Sequence, residues 1–169
     1  YETANTTPES FDIHQYMREM RLAGVEYLAI EVSSQALYMD RVYGISFDTC
    51  VYTNLSPDHI GGNEHPTFEH YRDCKKSLFT DFGASTVIYN ADDGYAEEMI
   101  SGFTAKRTSY AIHADADFKA SAIEKFKESD RLGVSFDFTA DGDLFSTEIS
   151  FPGYFSVYNA LAAMAVCRE

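Results

Sequence analysis

The sequence is poor in basic residues. Only 13 lysines and arginines stand against 27 aspartates and glutamates, so the net charge is −14. A surface with this charge repels polyanions, which disfavours nucleic acid and anionic membranes as partners. A phosphate-bearing ligand would need local help from a metal ion, a nest of backbone amides or a single cation such as Arg41.

Paired cysteines and long apolar runs are missing as well. Cys50, Cys74 and Cys167 form no CxxC motif and no evident disulfide framework, which is typical of reduced thiols in a cytoplasmic protein. No apolar run approaches the ~18 residues of a membrane-spanning helix, and no signal peptide is visible. We therefore expect a cytoplasmic protein without membrane insertion, whose oligomeric state the sequence does not indicate. Because the chain begins at Tyr1 instead of Met and ends directly after an apolar helix, we also expect a piece of a longer protein.

Two short apolar runs predict buried parallel strands, because they are rich in β-branched and aromatic residues and are followed by polar segments. They are YLAIEV (27–32) and FDTCVYTN (47–54). Ligands of open α/β sheets bind at the carboxyl ends of such strands. The polar residues expected at this edge are Glu31, Ser33, Ser34, Asn54, Asp58 and His59.

The remaining pattern predicts the fold class. We expect an α/β fold with a mostly parallel sheet flanked by helices over 1–105, a smaller antiparallel β portion over 106–152, and a final helix over 153–169. Together they form a single partial domain, 1–169. The antiparallel strands are expected at 107–112, 117–126, 132–139 and 144–151, with a hairpin turn at 140–143. The final helix is expected to direct inward Phe155, Tyr158, Ala162 and Val166.

Lys75 carries the clearest chemical prediction. From Pro66 onward the periodicity predicts a helix, and Lys75 falls on its apolar stripe beside Tyr71 and Leu78. Such a lysine either extends its ammonium to the surface or is desolvated, with a lowered pKa. A neutral lysine amine can react with carbon dioxide and become an anionic, bidentate metal ligand. Periodicity alone favours the surface lysine.

Three further groups leave alternatives open. Thr6 and Thr7 either cap the helix that starts near Pro8 or help to hold an anionic ligand at its N-terminus. Arg41 is either a surface cation or an anion-binding fork. The loop after the second strand contains potential metal ligands whose spacing matches no compact zinc signature. They are Asp58, His59, His65 and His70.

Several motifs, in this order, resemble the central ATPase domain of the Mur ligases. They are Asn5-Thr6-Thr7-Pro8, Glu31-Val32-Ser33-Ser34, Arg41-Val42, Thr53 to His59, Lys75-x-x-Leu78-Phe79, Asn90 to Asp93, and Gly153 to Ala163. The resemblance covers nearly the whole chain. It implies an ATP-dependent amide ligase of peptidoglycan precursor synthesis. The D-Glu carboxylate of UDP-MurNAc-L-Ala-D-Glu would be phosphorylated by ATP, and a diamino acid, L-lysine or meso-diaminopimelate, would displace the phosphate.

The resemblance also implies roles for individual residues. Glu31, His59 and a carbamylated Lys75 would be catalytic and would hold Mg²⁺. The UDP-muramoyl dipeptide would contact Thr6, Thr7, Ser33 and Arg41. The nucleotide would lie near Asn159, with Asn90 and Asp93 at the border of its pocket.

Some features depart from the family pattern. Gln35 follows the paired serines where His is frequent, and Ser156 stands where Asn is common. No G-x-x-x-x-G-K-[ST] phosphate-binding loop occurs. We therefore expect a domain lacking its first strand and phosphate-binding loop and, alone, inactive. Two alternatives remain: another ligase of the superfamily, such as a folylpolyglutamate synthetase, and a metal-dependent hydrolase using Asp58, His59, His65 and His70.

Overall fold

The computed structural model describes residues 5–58, 60–62, 64–128 and 131–169. The chain divides into two compact units. We call Phe47–Leu55 with Gly83–Glu169 the sheet unit, and the described parts of Tyr1–Ser46 and Ser56–Phe82 the helical unit. Each unit is built from two separate stretches of sequence.

The sheet unit contains one six-stranded sheet whose strands follow chain order. The pairs from β1 to β4 are parallel, and the pairs from β4 to β6 are antiparallel. The predicted α/β class, with a mostly parallel sheet and a smaller antiparallel portion, is confirmed. The strands are β1 Thr49–Tyr52, β2 Thr86–Asn90, β3 Lys106–Ala111, β4 Phe118–Lys127, β5 Leu132–Ala140 and β6 Asp143–Ile149.

One strand differs from the prediction. The run at 107–112 was expected to be antiparallel, but β3 pairs in parallel with both β2 and β4. Its last four residues are buried, as is usual for a parallel strand covered on both faces. The antiparallel part therefore begins at β4, because the alternation of residues within a strand does not reveal the direction of its neighbours.

The hairpin between β5 and β6 is confirmed. Ala140 pairs with Asp143 across a two-residue turn. Asp141 and Gly142 both have positive φ, 53° and 86°. A type I′ turn requires positive φ at both positions, and Asp-Gly is a preferred pair for it. The turn chemistry of the sequence thus fixes the register of these two strands.

Helix α5, Tyr154–Arg168, covers part of the sheet. It packs Val157, Leu161 and Ala165 into the core with sheet residues such as Ile88 and Phe136. The predicted inward face was partly wrong, because Phe155 is 80% exposed and Val166 is 40% exposed. The helix is apolar around most of its circumference, so its periodicity selects no single face. A short helix, α4 Ala96–Ile100, lies between β2 and β3 in sequence.

The helical unit contains three helices, α1 Ser10–Leu22, α2 Ser34–Tyr38 and α3 Phe68–Thr80. The strand predicted at 27–32 is absent, since residues 25–33 have no regular secondary structure and Tyr27 is 89% exposed. A strand requires a backbone partner, and this segment pairs with none of the described strands. Residues 27–32 therefore have the composition of a strand but lack the backbone hydrogen bonds of one.

Within the residues described, no helix combines the length and apolar character needed to cross a bilayer.

Candidate functional site

A cavity of about 210 Å³ opens in the sheet unit at the carboxyl ends of parallel strands. This is the edge of an α/β sheet where ligands bind. Its volume lies below the ~300–1,000 Å³ of pockets that enclose a whole small-molecule ligand, so it suits part of one, such as a flat ring. It is lined by Thr53, Asn54, Asn90, Asp92, Asp93, Tyr110, Phe155, Tyr158 and Asn159. The three residues predicted near the nucleotide, Asn90, Asp93 and Asn159, are thus brought together.

Two of these residues also build the cavity wall. The Asn90 amide donates to the Thr53 carbonyl at 3.0 Å, and its side-chain oxygen accepts from the Asp92 backbone N–H at 3.1 Å. The Asp93 carboxylate accepts from the Tyr52 hydroxyl at 2.5 Å and from the Leu55 N–H at 3.2 Å. These bonds fix the chain that follows β1 against the turn that follows β2.

Asp92 was not among the predicted site residues. Its carboxylate accepts from the backbone N–H groups of Ile112, His113 and Ala114, at 2.7, 2.9 and 2.6 Å. It also accepts from the Tyr158 hydroxyl at 2.7 Å. Burial alone would raise its pKa, but these hydrogen bonds lower the pKa to about 2. The Asp92 carboxylate therefore connects the loop after β3 to α5. The sequence places Asp92 inside the Asn90 to Asp93 motif, but a strand end does not reveal which acid faces the next loop.

In the helical unit, Thr7 joins two predicted site residues. Its buried hydroxyl donates to the Glu31 carbonyl at 2.9 Å and accepts from the Ser33 N–H at 3.0 Å. It does not cap α1, whose N-cap is Glu9. The Ser33 hydroxyl caps α2 by accepting from the Ala36 N–H at 3.1 Å. The Thr7 hydroxyl therefore shapes the otherwise irregular segment around Glu31, whereas Thr6 lies exposed.

Arg41 is buried beside this segment, with 7% of its side chain exposed. Its guanidinium donates to the Thr7 carbonyl at 3.2 Å and forms a 3.0 Å ion pair with Glu9. The buried Nε has no hydrogen-bond partner among the described residues. Arg41 is thus no ordinary surface cation, and one of its donors is unsatisfied.

Lys75 lies on α3 and is half-buried. Its Nζ stands 5.3 Å from the centre of the Tyr71 ring. Burial lowers the pKa of Lys75, and the negative charge of Glu31 partly opposes this shift. The lysine is therefore partly desolvated and interacts electrostatically with the Glu31 carboxylate. The third predicted ligand, His59, lies outside the described residues.

A second group of potential ligands comprises His65, His70 and Cys74. The histidines appeared in the hydrolase alternative with Asp58 and His59, but Cys74 did not. A recognisable signal was present, because His70 and Cys74 are four residues apart on a predicted helix and share one face. Within the described residues, the ligand group contains these three and excludes Asp58.

Comparison with known proteins places this geometry in context. The model of the Mur ligase middle domain matches residues 2–167. The UDP-N-acetylmuramoyl-L-alanyl-D-glutamate–2,6-diaminopimelate ligase of Clostridium tetani is 37% identical over 96% of this chain and 32% of its own length. The UDP-N-acetylmuramyl-tripeptide synthetase of Bifidobacterium longum is 40% identical over 99% of this chain and 33% of its own. The chain therefore spans about a third of the length of these curated relatives.

A solved structure agrees with the sequence matches. A UDP-N-acetylmuramoyl-L-alanyl-D-glutamate–2,6-diaminopimelate ligase superposes with a TM-score of 0.85 and 25% identity, over 95% of this chain and 33% of that one. These matches support the ligase prediction and support neither the folylpolyglutamate synthetase nor the hydrolase alternative. The family resemblance expected from the ordered motifs is confirmed, and the chain belongs to the Mur ligase middle domain family.

Proposed function

We propose that this chain is the middle domain of an ATP-dependent amide ligase of the MurE type. The ligase joins a diamino acid to UDP-MurNAc-L-Ala-D-Glu in peptidoglycan precursor synthesis. The names of its relatives support this reaction, and they include both a 2,6-diaminopimelate ligase and a tripeptide synthetase. The diamino acid is 2,6-diaminopimelate or L-lysine. Such a ligase works in the cytoplasm, and the cysteines of the described chain form no disulfide.

The observation that carries the proposal is the desolvated Lys75 amine near Glu31. A lowered pKa increases the neutral fraction of the amine, and only the neutral amine attacks carbon dioxide. A bond forms between Nζ and carbon as one C–O π bond of carbon dioxide breaks, and one proton leaves Nζ for water. The product is a carbamate whose two oxygens share one negative charge. The side chain changes from a cation into a metal ligand without any change of sequence.

Magnesium suits the resulting group, since hard divalent ions prefer oxygen ligands. We expect the carbamate of Lys75, the Glu31 carboxylate and the His59 imidazole to hold Mg²⁺. When bound, the ion supplies positive charge to the crowded phosphate and carboxylate oxygens of the reaction. This matters in a chain with a net charge of −14, which otherwise repels ATP and the UDP-linked substrate.

The UDP-muramoyl dipeptide is assigned to Thr6, Thr7, Ser33 and Arg41. Both hydrogen-bonding partners of the Thr7 hydroxyl are internal, so we expect Thr7 to position Glu31 and Ser33. The hydrogen of the Ser33 hydroxyl is not used in its cap to Ala36, and it can donate to substrate. The partly satisfied Arg41 guanidinium supplies the local cation.

The ATP base is assigned to the cavity at the strand ends. Asn159 lies exposed at its rim, where an amide can both donate to and accept from a purine edge. Asn90 and Asp93 hold the wall by their internal hydrogen bonds. The phosphates would then extend out of the cavity, which is too small for the whole nucleotide.

A carbamate at Lys75 is directly testable. The full chain, equilibrated with ¹³C-bicarbonate, should show a carbamate carbonyl resonance by NMR. The signal should be lost in Lys75→Arg, which keeps the charge but cannot be carbamylated, and kept in the neighbouring Lys76→Arg. A spectrum without this resonance at saturating bicarbonate and Mg²⁺ would contradict the assigned role of Lys75.

The reaction needs its own test. Replacing the matched segment of the Bifidobacterium longum relative with this chain should give a ligase that consumes ATP only with both UDP-MurNAc-L-Ala-D-Glu and a diamino acid. We expect Lys75→Ala in this chimera to lower kcat by at least ~100-fold, as does loss of other charge-stabilising groups. A folded chimera that hydrolyses ATP without either substrate would refute the ligase assignment.

A further inference from the structure

Three metal-binding side chains converge in the helical unit. His70 and Cys74 stand one turn apart on α3, and His65 precedes that helix in a short loop. The Gly61 N–H donates to the His65 carbonyl at 2.8 Å. His65 is 1% exposed, whereas His70 and Cys74 are half-buried and can be reached from solvent.

The distances are those of a nearly formed tetrahedral site. Zinc bonds of ~2.0–2.1 Å to nitrogen and ~2.3 Å to sulfur place two nitrogens ~3.3 Å apart and a nitrogen and sulfur ~3.6 Å apart. Here the two Nδ1 atoms of His65 and His70 are 2.8 Å apart, and Cys74 Sγ lies 3.7 Å from His70 Nδ1. All three ligand atoms lie within 4.8 Å of one another. An increase of about half an ångström in the distance between the two Nδ1 atoms would give the separation that zinc requires.

A contact on the ring nitrogen opposite the proposed metal ligand orients His65. Its Nε2 lies 2.8 Å from the hydroxyl of Ser34, which is itself only 5% exposed. When Nε2–H donates to this hydroxyl, the Nδ1 lone pair faces His70 and Cys74. Metal-binding histidines are held in this way, by a partner on the nitrogen opposite the metal. The Tyr38 ring packs edge-on against the His70 ring at 4.9 Å and restrains it further.

The donor types select the ion. Two imidazoles and a thiolate suit zinc and similar borderline or soft ions, whereas magnesium prefers oxygen. Without metal, the 2.8 Å contact is a hydrogen bond, and when His65 Nε2–H donates to Ser34, His70 Nδ1–H is its donor and His65 Nδ1 its acceptor. Binding requires the His70 proton to move to Nε2 and the Cys74 thiol to release its proton to solvent.

We propose that His65, His70 and Cys74 form a zinc site, with water as fourth ligand and Ser34 as the group that orients His65. This site is separate from the proposed magnesium ligands and does not depend on the ligase assignment. Its ion would tie the loop that contains His65 to α3, immediately before Lys75. Zinc would therefore hold in place the segment of α3 that carries the reactive lysine.

Cobalt provides a spectroscopic test, because only a site containing Cys gives a sulfur-to-cobalt charge-transfer band. The folded, metal-free full chain should bind one equivalent of Co²⁺ with this near-ultraviolet band and with tetrahedral visible bands. Zinc should displace the cobalt, excess magnesium should not, and zinc should raise the melting temperature. Cys74→Ser should abolish the band and, like His70→Gln, weaken zinc binding by more than the ~10–100-fold typical of outer ligand partners.

Matched controls separate the site from adventitious binding. Cys167→Ser removes an exposed cysteine and His14→Gln an exposed histidine, and both variants should bind cobalt as the original chain does. Ser34→Ala should keep the band but weaken zinc binding by about 10–100-fold. The proposal is overturned if the original chain shows no charge-transfer band, or if the band persists in Cys74→Ser and disappears in Cys167→Ser.

Discussion

The two units of this chain are stabilised by different means. The sheet unit buries apolar side chains from its parallel strands, its antiparallel strands and α5 in one core. Examples are Ile88, Phe136 and Leu161. The helical unit buries few, and exposes large ones such as Phe11, Tyr27 and Tyr43. Both units bury polar residues, Thr7, Arg41 and His65 in the helical unit and Asn90 and Thr108 in the sheet unit, but within the described part of the chain only the sheet unit surrounds them with a large apolar core.

The two units therefore differ in how much apolar burial supports their polar groups. Apolar burial is non-directional and contributes most of the free energy of folding, so the sheet unit is a scaffold. Hydrogen-bonded buried polar groups specify positions, and they are costly when a partner is removed. Of the groups proposed for catalysis and metal binding in the helical unit, His65 is buried, Lys75 is half-buried and Glu31 is exposed. Substitutions in the two units should therefore fail in different ways.

The largest effect is expected in the sheet unit. Leu161→Ala removes a fully buried side chain from the core of α5. We expect the free energy of unfolding to fall by about 2–5 kcal/mol, from lost apolar burial and the cavity left behind. Urea titration followed by circular dichroism measures it. Leu144→Ala makes the same change at a position that is 65% exposed and should cost less than ~0.5 kcal/mol. Equal losses would contradict the scaffold role of the core.

The next effect probes the polar support of the helical unit. Thr7→Val keeps the shape of the side chain but leaves the Glu31 carbonyl and the Ser33 N–H without their partner. We expect a cost of about 1–3 kcal/mol. Hydrogen exchange should rise around 31–36 before it rises in β2 or β5. Thr6→Val, an exposed neighbour, is the matched control. Uniform faster exchange over both units would show that the two do not respond separately.

A smaller, pH-dependent effect should come from Asp92. Its pKa is about 2 in the folded chain, below the ordinary 3.8, so its carboxylate stabilises the fold fully above about pH 4. That contribution is lost as the pH falls to about 2, and partial exposure limits it to at most about 2 kcal/mol. Asp92→Asn should lower stability at neutral pH and flatten its decline between pH 4 and 2. The exposed Asp115→Asn should leave the decline unchanged.

The same contrast explains what the sequence could predict. Strand composition, the Asp-Gly turn and the periodicity around Lys75 are local signals. They predicted β1, the β5–β6 hairpin and α3 correctly, although strand composition was wrong at 27–32. Local signals contain no information about partners. They therefore gave the wrong pairing direction for β3 and a partly wrong inward face for α5.

The sequence predicts which single residues are candidates for chemistry, but it does not predict the distant contacts that position them. The apolar stripe left both a surface and a desolvated Lys75 open and favoured the surface lysine, whereas the family resemblance implied the desolvated one, whose pKa burial lowers. The contacts of Asp92 with the loop after β3, and of Thr7 with Glu31, connect residues about 20 or more positions apart. No spacing rule reaches that distance. Cys74 was missed for another reason, since a single cysteine on a helix is commonly a packing residue.

The smallest expected effect is that of a substitution at Tyr27, and it tests whether the segment 25–33 packs into a core. Tyr27 has the sequence context of a buried strand, yet it is 89% exposed. Tyr27→Ser should therefore change the free energy of unfolding by less than about 0.5 kcal/mol. Tyr110→Ser makes the same substitution at a position that is 1% exposed and should cost about 3 kcal/mol or more. Urea midpoints of the two variants measure the difference. If both lose comparable stability, Tyr27 is buried in solution, the strand predicted from YLAIEV exists, and the helical unit has a core like that of the sheet unit.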